Sequence, residues 1–305
     1  MSDQITTAQV QEYKAGLQIL FQQQGALLRD KVRWEEFTGE RAFFDQVGSV
    51  LAYDYTVRNQ PTQLVATPFS RRSITLQPKM AADTVDPRDL SKVLQDPQGA
   101  IRTTQAYALG RALDKVIIDA ALGSAWTGKS GTVEVVFPTA TRQIGVQFGT
   151  SPATDVGMTV RKLREAARML NASQIPQQVP RYIAMTSKQH DDLLGETQVV
   201  SMDFQTRPVL ENGRIRSFMG FEFVLIEDAE DEAGNTVTML NLVNTTERRC
   251  IAWAKTSLLG AANPSLSVDI GPRRDLSSVE QILSWGAFGS SRMDEKGVVE
   301  IICQE

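Results

Sequence analysis

One stretch of the sequence matches the spacing of a nucleotide-binding loop. Residues 123–130 read GSAWTGKS, which fits the pattern GxxxxGK[ST] at every position. In that motif, backbone amides and a lysine surround the phosphates, and the loop leads from a strand into the N-terminus of a helix. Here a long helical pattern precedes the loop and a strand-like run, 132–137, follows it. The partly negative end of a helix would face the phosphates, so the sequence favours a turn over a nucleotide-binding enzyme.

Other reactive side chains are few and poorly grouped. His190 is the only histidine and lies in the polar segment SKQHDD, so we expect a solvated surface residue and not a general base. Cys250 and Cys303 have no CxxC or HxxxH companions, which argues against a metal site and indicates two reduced thiols. The acids of 227–232 lack the spacing of a calcium loop. We therefore predict no catalytic residue, no cofactor and no metal.

Composition narrows the class of protein further. The chain has 305 residues, 42% hydrophobic content and a net charge of −4. It is long enough for one elaborate domain or two, and its charge gives no reason to expect a basic nucleic-acid binder. The N-terminal MSDQITTAQ lacks a signal-peptide pattern, and no apolar run approaches the roughly 20 residues that span a bilayer. We expect a soluble protein made inside a cell.

The longest predicted element is a helix over residues 97–123. Asp96 is a candidate N-cap, Pro97 suits the first helical position, and Gly123 is expected to end the helix in a left-handed conformation. Small residues at 106, 108, 110 and 112 let a neighbouring backbone come close. At about 1.5 Å per residue the helix is roughly 40 Å long, which suits a strut.

The chain before this helix cannot form a core by itself. Residues 1–50 indicate an arm with helical pieces, which packs either on its own body or on a neighbouring subunit. Residues 51–82 favour an extended two-stranded ribbon. A charge of +4 comes from Arg58, Arg71, Arg72 and Lys79. Since a lone hairpin is marginal in water, the ribbon should dock on another surface.

The chain after the long helix is mixed α/β. A helix is expected near 157–170 with Asp155 as its cap, and a shorter one after Thr186. Asn212-Gly213 is a tight-turn signal, and the loop 227–232 carries a charge of −5. Strand patterns occur at 132–137, 143–148, 181–185, 214–217, 220–226, 236–243, 250–254, 266–270, 279–285 and 297–303.

This order of parts resembles the major capsid protein of tailed bacteriophages, with the Hong Kong 97-type fold. The marks are the ribbon, the long helix, the block RYIAMTSKQHDDLLGE followed by NGRIRSFMGFEFVLIED, and the closing QILSWGAFGSSRMDEKGVVEIICQE. The resemblance implies an α+β fold with an N-terminal arm, an extended β-ribbon or E-loop, a peripheral domain with a spine helix, and a mixed α/β axial domain. Its expected divisions are the arm 1–50, the E-loop 51–88, the peripheral domain 89–157 with its spine helix 97–123, the axial domain 158–262, and the closing peripheral strands 263–305.

The resemblance also implies a function and partners. The chain would self-assemble as hexamers and pentamers into the icosahedral head of a tailed phage around double-stranded DNA. It would be assembled in the host cytoplasm and reside in the virion, without a membrane. An arm of about 50 residues is too short for a large built-in scaffolding domain, so a separate scaffolding protein and a portal are implied, and a decoration protein is a further candidate.

The expected contacts between subunits are charged and apolar. We expect Arg71 and Arg72 to dock on carboxylates of a neighbouring subunit. The candidate contact residues are Arg58, Phe69, Arg71, Arg72, Lys79, Glu227, Asp228, Asp231 and Glu232. The alternative with the same fold is an encapsulin-type compartment shell that encloses cargo enzymes, and the distant alternative is the nucleotide-binding enzyme.

Overall fold

The computed structural model describes residues 22–86 and 98–305, except 55, 57, 63, 151, 153, 197–198, 200–209, 212–213, 231–233, 265–266 and 277. The expected helical pieces before residue 22, the cap at Asp96-Pro97, the turn at Asn212-Gly213, and the acids Asp231 and Glu232 lie outside the described residues. The helices of the described residues are α1 (Gln98–Leu122), α2 (Thr139–Arg142), α3 (Val160–Ala172) and α4 (Ser187–Leu194). Single 3₁₀ turns occur at Arg29–Lys31, Lys255–Ser257, Arg274–Leu276 and Glu295–Gly297.

The strands are mostly short. In chain order they are β1 (Arg33–Glu36), β2 (Arg41–Val47), β3 (Phe69–Thr75), β4 (Gln77–Val85), β5 (Ala125–Thr127), β6 (Val133–Val135), β7 (Gln143–Ile144), β8 (Arg181–Met185), β9 (Leu210–Glu211), β10 (Arg214–Ile215), β11 (Ser217–Phe218), β12 (Phe221–Leu225), β13 (Ala229–Glu230), β14 (Thr236–Val237), β15 (Glu247–Ala254), β16 (Leu258–Ala262), β17 (Ser267–Arg273), β18 (Val279–Arg292) and β19 (Val298–Gln304).

The helix α1 lies against a sheet built around β18. Strand β18 pairs antiparallel with β4, β16 and β17, and β1 pairs parallel with β16. Gln105 of α1 is buried; its side chain donates to the carbonyl of Ile282 (3.1 Å) and accepts from the hydroxyl of Ser284 (2.7 Å). These bonds fix the N-terminal half of α1 on β18, since a buried amide without partners would cost free energy.

A second sheet is buried on both faces. Its strand order is β11-β12-β8-β15-β19-β7. Alternate residues of β8 point to opposite sides: Tyr182 and Ala184 pack in the core that contains α1, whereas Ile183 and Met185 pack in the core that contains α3 and α4. Successive side chains of a strand point to opposite faces of the sheet, so a strand that is buried on both faces contributes alternately to the two cores.

The third large sheet forms the base of the ribbon. Its order is β2-β3-β5-β6, all antiparallel, and Arg41 lies opposite Thr75 while Val47 lies opposite Phe69. The two strands of the ribbon were expected to lie within residues 51–82, and this prediction was wrong, because β3 pairs with β2. Its first strand lies in 41–47, within the supposed arm, and the described residues of 51–68 contain no strand. The pairing partners are far apart in sequence, so no tight-turn signal marks the hairpin.

Other expected elements differ in extent or in cap. Thr159, and not Asp155, caps α3, because its side chain accepts a bond from the amide of Lys162. Gly123 follows the last residue of α1 without a positive φ, so the expected left-handed cap was wrong. Its amide donates to the carbonyl of Asp119, and a Cβ at this position would lie 2.6 Å from that oxygen, which favours glycine. The strand expected at 236–243 is limited to Thr236–Val237, the runs 132–137 and 143–148 shorten to β6 and β7, and β16 was missed.

The strands after residue 263 lie in two different sheets. Strands β17 and β18 belong to the sheet under α1, whereas β19 pairs with β15 and β7 in the second sheet. Strand β16, from the segment expected to be axial, pairs with β18. The chain therefore passes between the two cores several times. Strand β8, helix α4 with Thr186 as its N-cap, and strand β12 occur where the sequence predicts them.

Candidate functional site

The ribbon carries apolar side chains that the described part of the chain leaves exposed. Residues 48–68 join β2 to β3, and Leu64 is 92% exposed, Leu51 82% and Phe69 76%. The large exposed apolar residues of this region are Val47, Val50, Leu51, Tyr53, Leu64, Val65 and Phe69. Exposed large apolar side chains concentrated in one segment indicate an interaction surface. Phe69 is one of the contact residues that the sequence predicts.

Arg71 has a partner on the neighbouring strand. Its Nε lies 2.6 Å from Oδ1 of Asp45, the residue opposite it in the β2–β3 register, and its guanidinium lies 5.5 Å from the ring centroid of Phe43. The hydrogen bond from Arg71 holds the pKa of the Asp45 carboxyl below its ordinary value. Both side chains are solvent-exposed, so the pair adds little stability and leaves Arg71 accessible.

Arg72 is buried at the base of the ribbon. Its Nη2 lies 2.6 Å from Oε1 of Glu295, and its Nε donates to the carbonyl of Met293 at 3.4 Å. Neighbouring residues of a strand point to opposite faces, which is why Arg71 faces solvent and Arg72 faces the body. The structure gives both arginines partners within their own chain, and the expected docking on a neighbouring subunit stays a prediction.

Arg292 explains why GSAWTGKS is not a phosphate site. This fully buried guanidinium, at the end of β18, donates to the carbonyls of Ala121 (2.9 Å), Gly123 (2.7 Å) and Val135 (3.1 Å). The first two belong to the C-terminal end of α1, where a cation is favourable. The rest of the motif forms the hairpin β5–β6, and Lys129 is exposed in its turn. Among the described residues, strand β6 and not a helix follows this loop, so the helix N-terminus that the motif requires is not there and the nucleotide-binding hypothesis is wrong.

The histidine and the cysteines are structural. His190 was expected on the surface but is only 7% exposed, and its Nε2 accepts a bond from the amide of Ile215 at 3.2 Å. Cys250 and Cys303 are free and fully buried. A hydrogen bond between the two thiols, and then burial, raise the pKa of the Cys250 thiol. Among the described residues, no three His, Cys, Asp or Glu side chains are close enough to hold a metal ion.

The described acids of the 227–232 loop also bond within the chain. Glu227 accepts from the amide and hydroxyl of Ser187, and Asp228 accepts from Arg248 at 2.9 Å and from the amide of Met239 at 3.0 Å. Arg58 is exposed near the ribbon tip, and Lys79 of β4 is half-buried. The structure therefore distributes the predicted contact residues between the ribbon and the body.

A buried carboxylate fixes the chain before β1 onto α1. Asp114 is 0% exposed and accepts bonds from the amides of Leu27 (2.9 Å) and Leu28 (3.0 Å) and from the side chain of Gln23 (2.6 Å). Burial raises the pKa of Asp114 and these three bonds partly oppose the rise. One turn earlier, a Cβ at Gly110 would lie 2.5 Å from the carbonyl carbon of Gly25. The small residues of the helix therefore admit a neighbouring backbone, as the sequence predicts.

An open groove of about 630 Å³ runs along another side of α1, and we call it the α1 groove. Its floor is a row of small side chains, Ala108, Ala112, Val116 and Ala120, spaced four residues apart. Strands β3, β4 and β18 form one wall, and Ala229, Val237 and Met239 form the other. Sequence reasoning did not find this groove; its only signal was the row of small residues.

None of the described helices has both the length and the apolar character that a membrane span requires. No curated protein resembles the chain in sequence at a significant level. Solved structures resemble it in fold, each over nearly the whole of both chains. The capsid of cyanophage P-SCSP1u has a TM-score of 0.70 and 15% sequence identity, and the match covers 98% of this chain and 94% of that one. The structure from Mycobacterium phage Che8 has a TM-score of 0.66 and 15% identity, covering 96% of this chain and 97% of that one. The structure from Mycobacterium phage Bobi has a TM-score of 0.67 and 11% identity, covering 100% of this chain and 99% of that one.

These likenesses confirm the α+β capsid fold that the sequence predicts. The family model for phage capsid proteins matches residues 5–305, which is nearly the full length of the chain. The geometry agrees, since the described residues contain an exposed apolar ribbon and a long helix that packs on a sheet. The chain therefore belongs to the phage capsid protein family, and it is a structural protein of the virion.

Proposed function

We propose that this protein assembles as hexamers and pentamers into the icosahedral head of a tailed phage and encloses double-stranded DNA. In this proposal the ribbon between Arg41 and Thr75 is the E-loop, α1 is the spine helix, and the second sheet with α3 and α4 is the core of the axial domain. The residue limits of the domains, including 158–262 for the axial domain, stay predictions.

The exposed apolar surface of the ribbon carries the proposal. Leu51 and Leu64 are more than four-fifths exposed on a segment whose described residues form no strand. Burying apolar surface stabilises by about 25 cal/mol per Å², so covering such side chains with a second copy is favourable. Obligate interfaces exceed roughly 2,000 Å², which a projecting ribbon can supply by lying across a neighbour.

Charged contacts are proposed to set the register of this interface. The accessible basic candidates are Arg58 and Arg71 on the ribbon and Lys79 on the body, and the described acidic candidates on the body are Glu227 and Asp228. Asp231 and Glu232, outside the described residues, stay candidates from the sequence alone. Each exposed pair contributes only about 0–1 kcal/mol. Repetition over many copies makes such weak contacts sufficient and lets wrongly placed subunits dissociate.

The test of assembly is a pair of substitutions at the ribbon tip. In Leu64→Asp, a charge replaces an apolar side chain that is 92% exposed in the single chain, so folding should be unchanged and particle formation should be lost. Leu64→Met keeps the apolar contact and should form closed shells. Circular dichroism checks folding, and sedimentation with electron microscopy checks assembly. Closed shells of normal yield from Leu64→Asp would contradict the proposal.

The enclosed material is tested separately. Particles purified from their native source should have an ultraviolet spectrum dominated by nucleic acid at 260 nm, because the proposed content is DNA. Nuclease treatment after opening the particles should remove that absorbance. A protein-like spectrum, with co-purifying enzymes, would instead indicate a compartment shell. Expression alone and with a candidate scaffolding protein tests that partner, since closed and uniform shells should form only with it.

A further inference from the structure

We propose that an exposed row of arginines on α3, together with the concavity at the C-terminal end of this helix, binds phosphates of double-stranded DNA. This inference rests on the proposed function, because it assigns the DNA that the shell would enclose to one surface of the subunit. We call this surface the basic face. Its members are Arg142, Arg161, Arg164, Arg168 and Lys296.

The arginines of α3 lie on one side of the helix because of their spacing. Arg161, Arg164 and Arg168 are exposed and follow one another at steps of three and four residues, so their side chains are neighbours on the helix surface. The other side of α3 is buried, where Leu163 and Leu170 pack in the core beneath the helix. At 1.5 Å per residue, the row of arginines extends roughly 10 Å along α3.

Two of the three arginines have no acid paired with them among the described residues. Arg161 donates to the carbonyl of Gly149, and Arg164 has neither a hydrogen-bond nor an ion-pair partner in the described part of the chain. The Nε of Arg168 lies 2.8 Å from Oε2 of Glu165, but the arginine side chain is 65% exposed. Since an exposed ion pair contributes little, Arg168 remains accessible to a second anion.

The row of arginines leads into a concavity of about 460 Å³ at the C-terminal end of α3. Arg142, Arg168 and Lys296 supply its cations, and the described residues that line it include no acid. Arg142 also donates to the carbonyl of Met169 at 3.1 Å and to the hydroxyl of Ser173 at 2.6 Å. The last carbonyls of a helix repel anions, so the bond to Met169 offsets the repulsion of a phosphate in this concavity.

DNA suits the basic face better than an acidic surface of a second copy does. The loop 227–232 carries a charge of −5, but its Glu227 and Asp228 already bond within the chain. The acids near the face itself are Glu165, which pairs with Arg168, and Asp294, so the cations there are in excess. Each strand of B-DNA presents one phosphate about every 3.4 Å of its axis, so roughly 10 Å of helix laid along DNA meets about three. Three arginines in a row match that number.

The test measures the binding of a short labelled DNA duplex to the full, unassembled chain by fluorescence anisotropy at several salt concentrations. The variant Arg161→Gln with Arg164→Gln and Arg168→Gln removes three proposed phosphate contacts. Since each contact contributes about 0.9 to the slope of log K against log salt, the slope should become shallower by about 2.7. The affinity at about 0.1 M salt should fall more than tenfold.

The matched control removes three arginines from another part of the surface. Arg102→Gln with Arg273→Gln and Arg274→Gln takes the same charge from positions beside the sheet under α1. The slope for this control should stay within about 0.5 of the wild type, because net charge alone adds no phosphate contact.

A charge-preserving variant separates loss of charge from loss of folding. Arg161→Lys with Arg164→Lys and Arg168→Lys keeps three cations at the same positions, so its slope should equal that of the wild type. Circular dichroism checks that every variant folds. A loss of binding in this lysine variant as large as in the glutamine variant would overturn the proposal.

Each further outcome also decides the proposal. A shallower slope in the glutamine variant alone supports it. Equal losses in that variant and the control, an unchanged slope, or no binding by the wild-type chain would overturn it. Electron microscopy scores shell formation separately, so absent shells from the wild-type chain contradict the proposed function without changing the binding result. Shells lost in the glutamine variant with DNA binding unchanged would assign the basic face to a neighbouring copy and overturn the inference.

Discussion

The guanidinium of Arg292 joins three parts of the chain that are far apart in sequence. It donates to the end of α1 at Ala121 and Gly123 and to Val135 of the β5–β6 hairpin, while Glu295 lies 3.8 Å away and also binds Arg72 of the ribbon. A buried cation that loses its acceptors, or acceptors that lose their donor, cost several kcal/mol. Arg292 therefore joins the end of α1 to the β5–β6 hairpin and lies beside the acid that binds the base of the ribbon.

We expect Arg292→Met to destabilise the unassembled chain by about 3 kcal/mol, because one buried and two partly buried hydrogen bonds to carbonyls would be lost. Arg164→Met, an exposed position on α3, should change stability by less than about 0.5 kcal/mol. Urea denaturation followed by fluorescence measures both. Equal stability of the two variants would show that water replaces the guanidinium.

Asp114 should make stability depend on pH in a defined direction. Burial raises its pKa above that of the unfolded chain, so the folded state holds a proton more tightly. The stabilisation from this proton is fully present below the unfolded value, about 3.9, and is lost as pH rises through the higher folded value. Relative to Asp114→Asn, which does not titrate, the wild-type chain should lose stability as pH rises from about 4 and level off above the folded pKa. Denaturation curves of both proteins across this pH range give the difference, and a constant difference would contradict the assignment.

At the scale of elements, the close approach of the chain to α1 depends on Gly110. A Cβ there would lie 2.5 Å from the backbone of Gly25, whereas a Cβ at Gly99 of the same helix would meet nothing within 4 Å. Gly110→Ala should therefore destabilise by about 1–3 kcal/mol through displaced backbone. Gly99→Ala should be neutral or stabilising by up to about 1 kcal/mol, since alanine is the better helix former. Thermal unfolding of the two variants measures the contrast, and the same sign for both would refute it.

The sequence predicted elements well where their signals are local. Thr186 before an amphipathic turn, the apolar run at Phe221–Leu225 and the long helical period of α1 each depend on neighbouring residues, and the structure confirms them. The ribbon was misplaced because its register joins Arg41 to Thr75, a pairing that only the rest of the fold selects. His190 and Arg72 look like surface residues in sequence, and tertiary packing alone buries them.

At the scale of the whole molecule, the exposed pair of Arg71 and Asp45 separates contacts within a chain from contacts between chains. In the double variant Asp45→Arg with Arg71→Asp, the pair within the chain is restored with reversed charges. Stability of the single chain should therefore stay within about 0.5 kcal/mol of the wild type. If Arg71 docks on carboxylates of a neighbour, as predicted, the yield of shells in sedimentation should fall several-fold. A yield of shells equal to that of the wild type would contradict a contact between Arg71 and a neighbouring subunit.

The site was less predictable than the fold. The family resemblance in the sequence led to the α+β capsid architecture, and charge counting singled out Arg71 and Arg72. Neither could reveal that Asp228, Glu227 and Arg72 bond inside the chain, because those bonds join residues that only folding brings together. The α1 groove arises from four separate segments, and no single stretch of sequence encodes it.

The position of β19 has a consequence for how the subunit is made. This strand lies between β15 and β7. Its Val298 belongs to the core that contains α1, whereas Val299 and Ile301 belong to the core that contains α3 and α4. Because β19 supplies apolar side chains to both cores, neither core is complete before this strand has paired with β15. Loss of β19 would leave β15 and β7 with unpaired edges, and unpaired sheet edges promote aggregation.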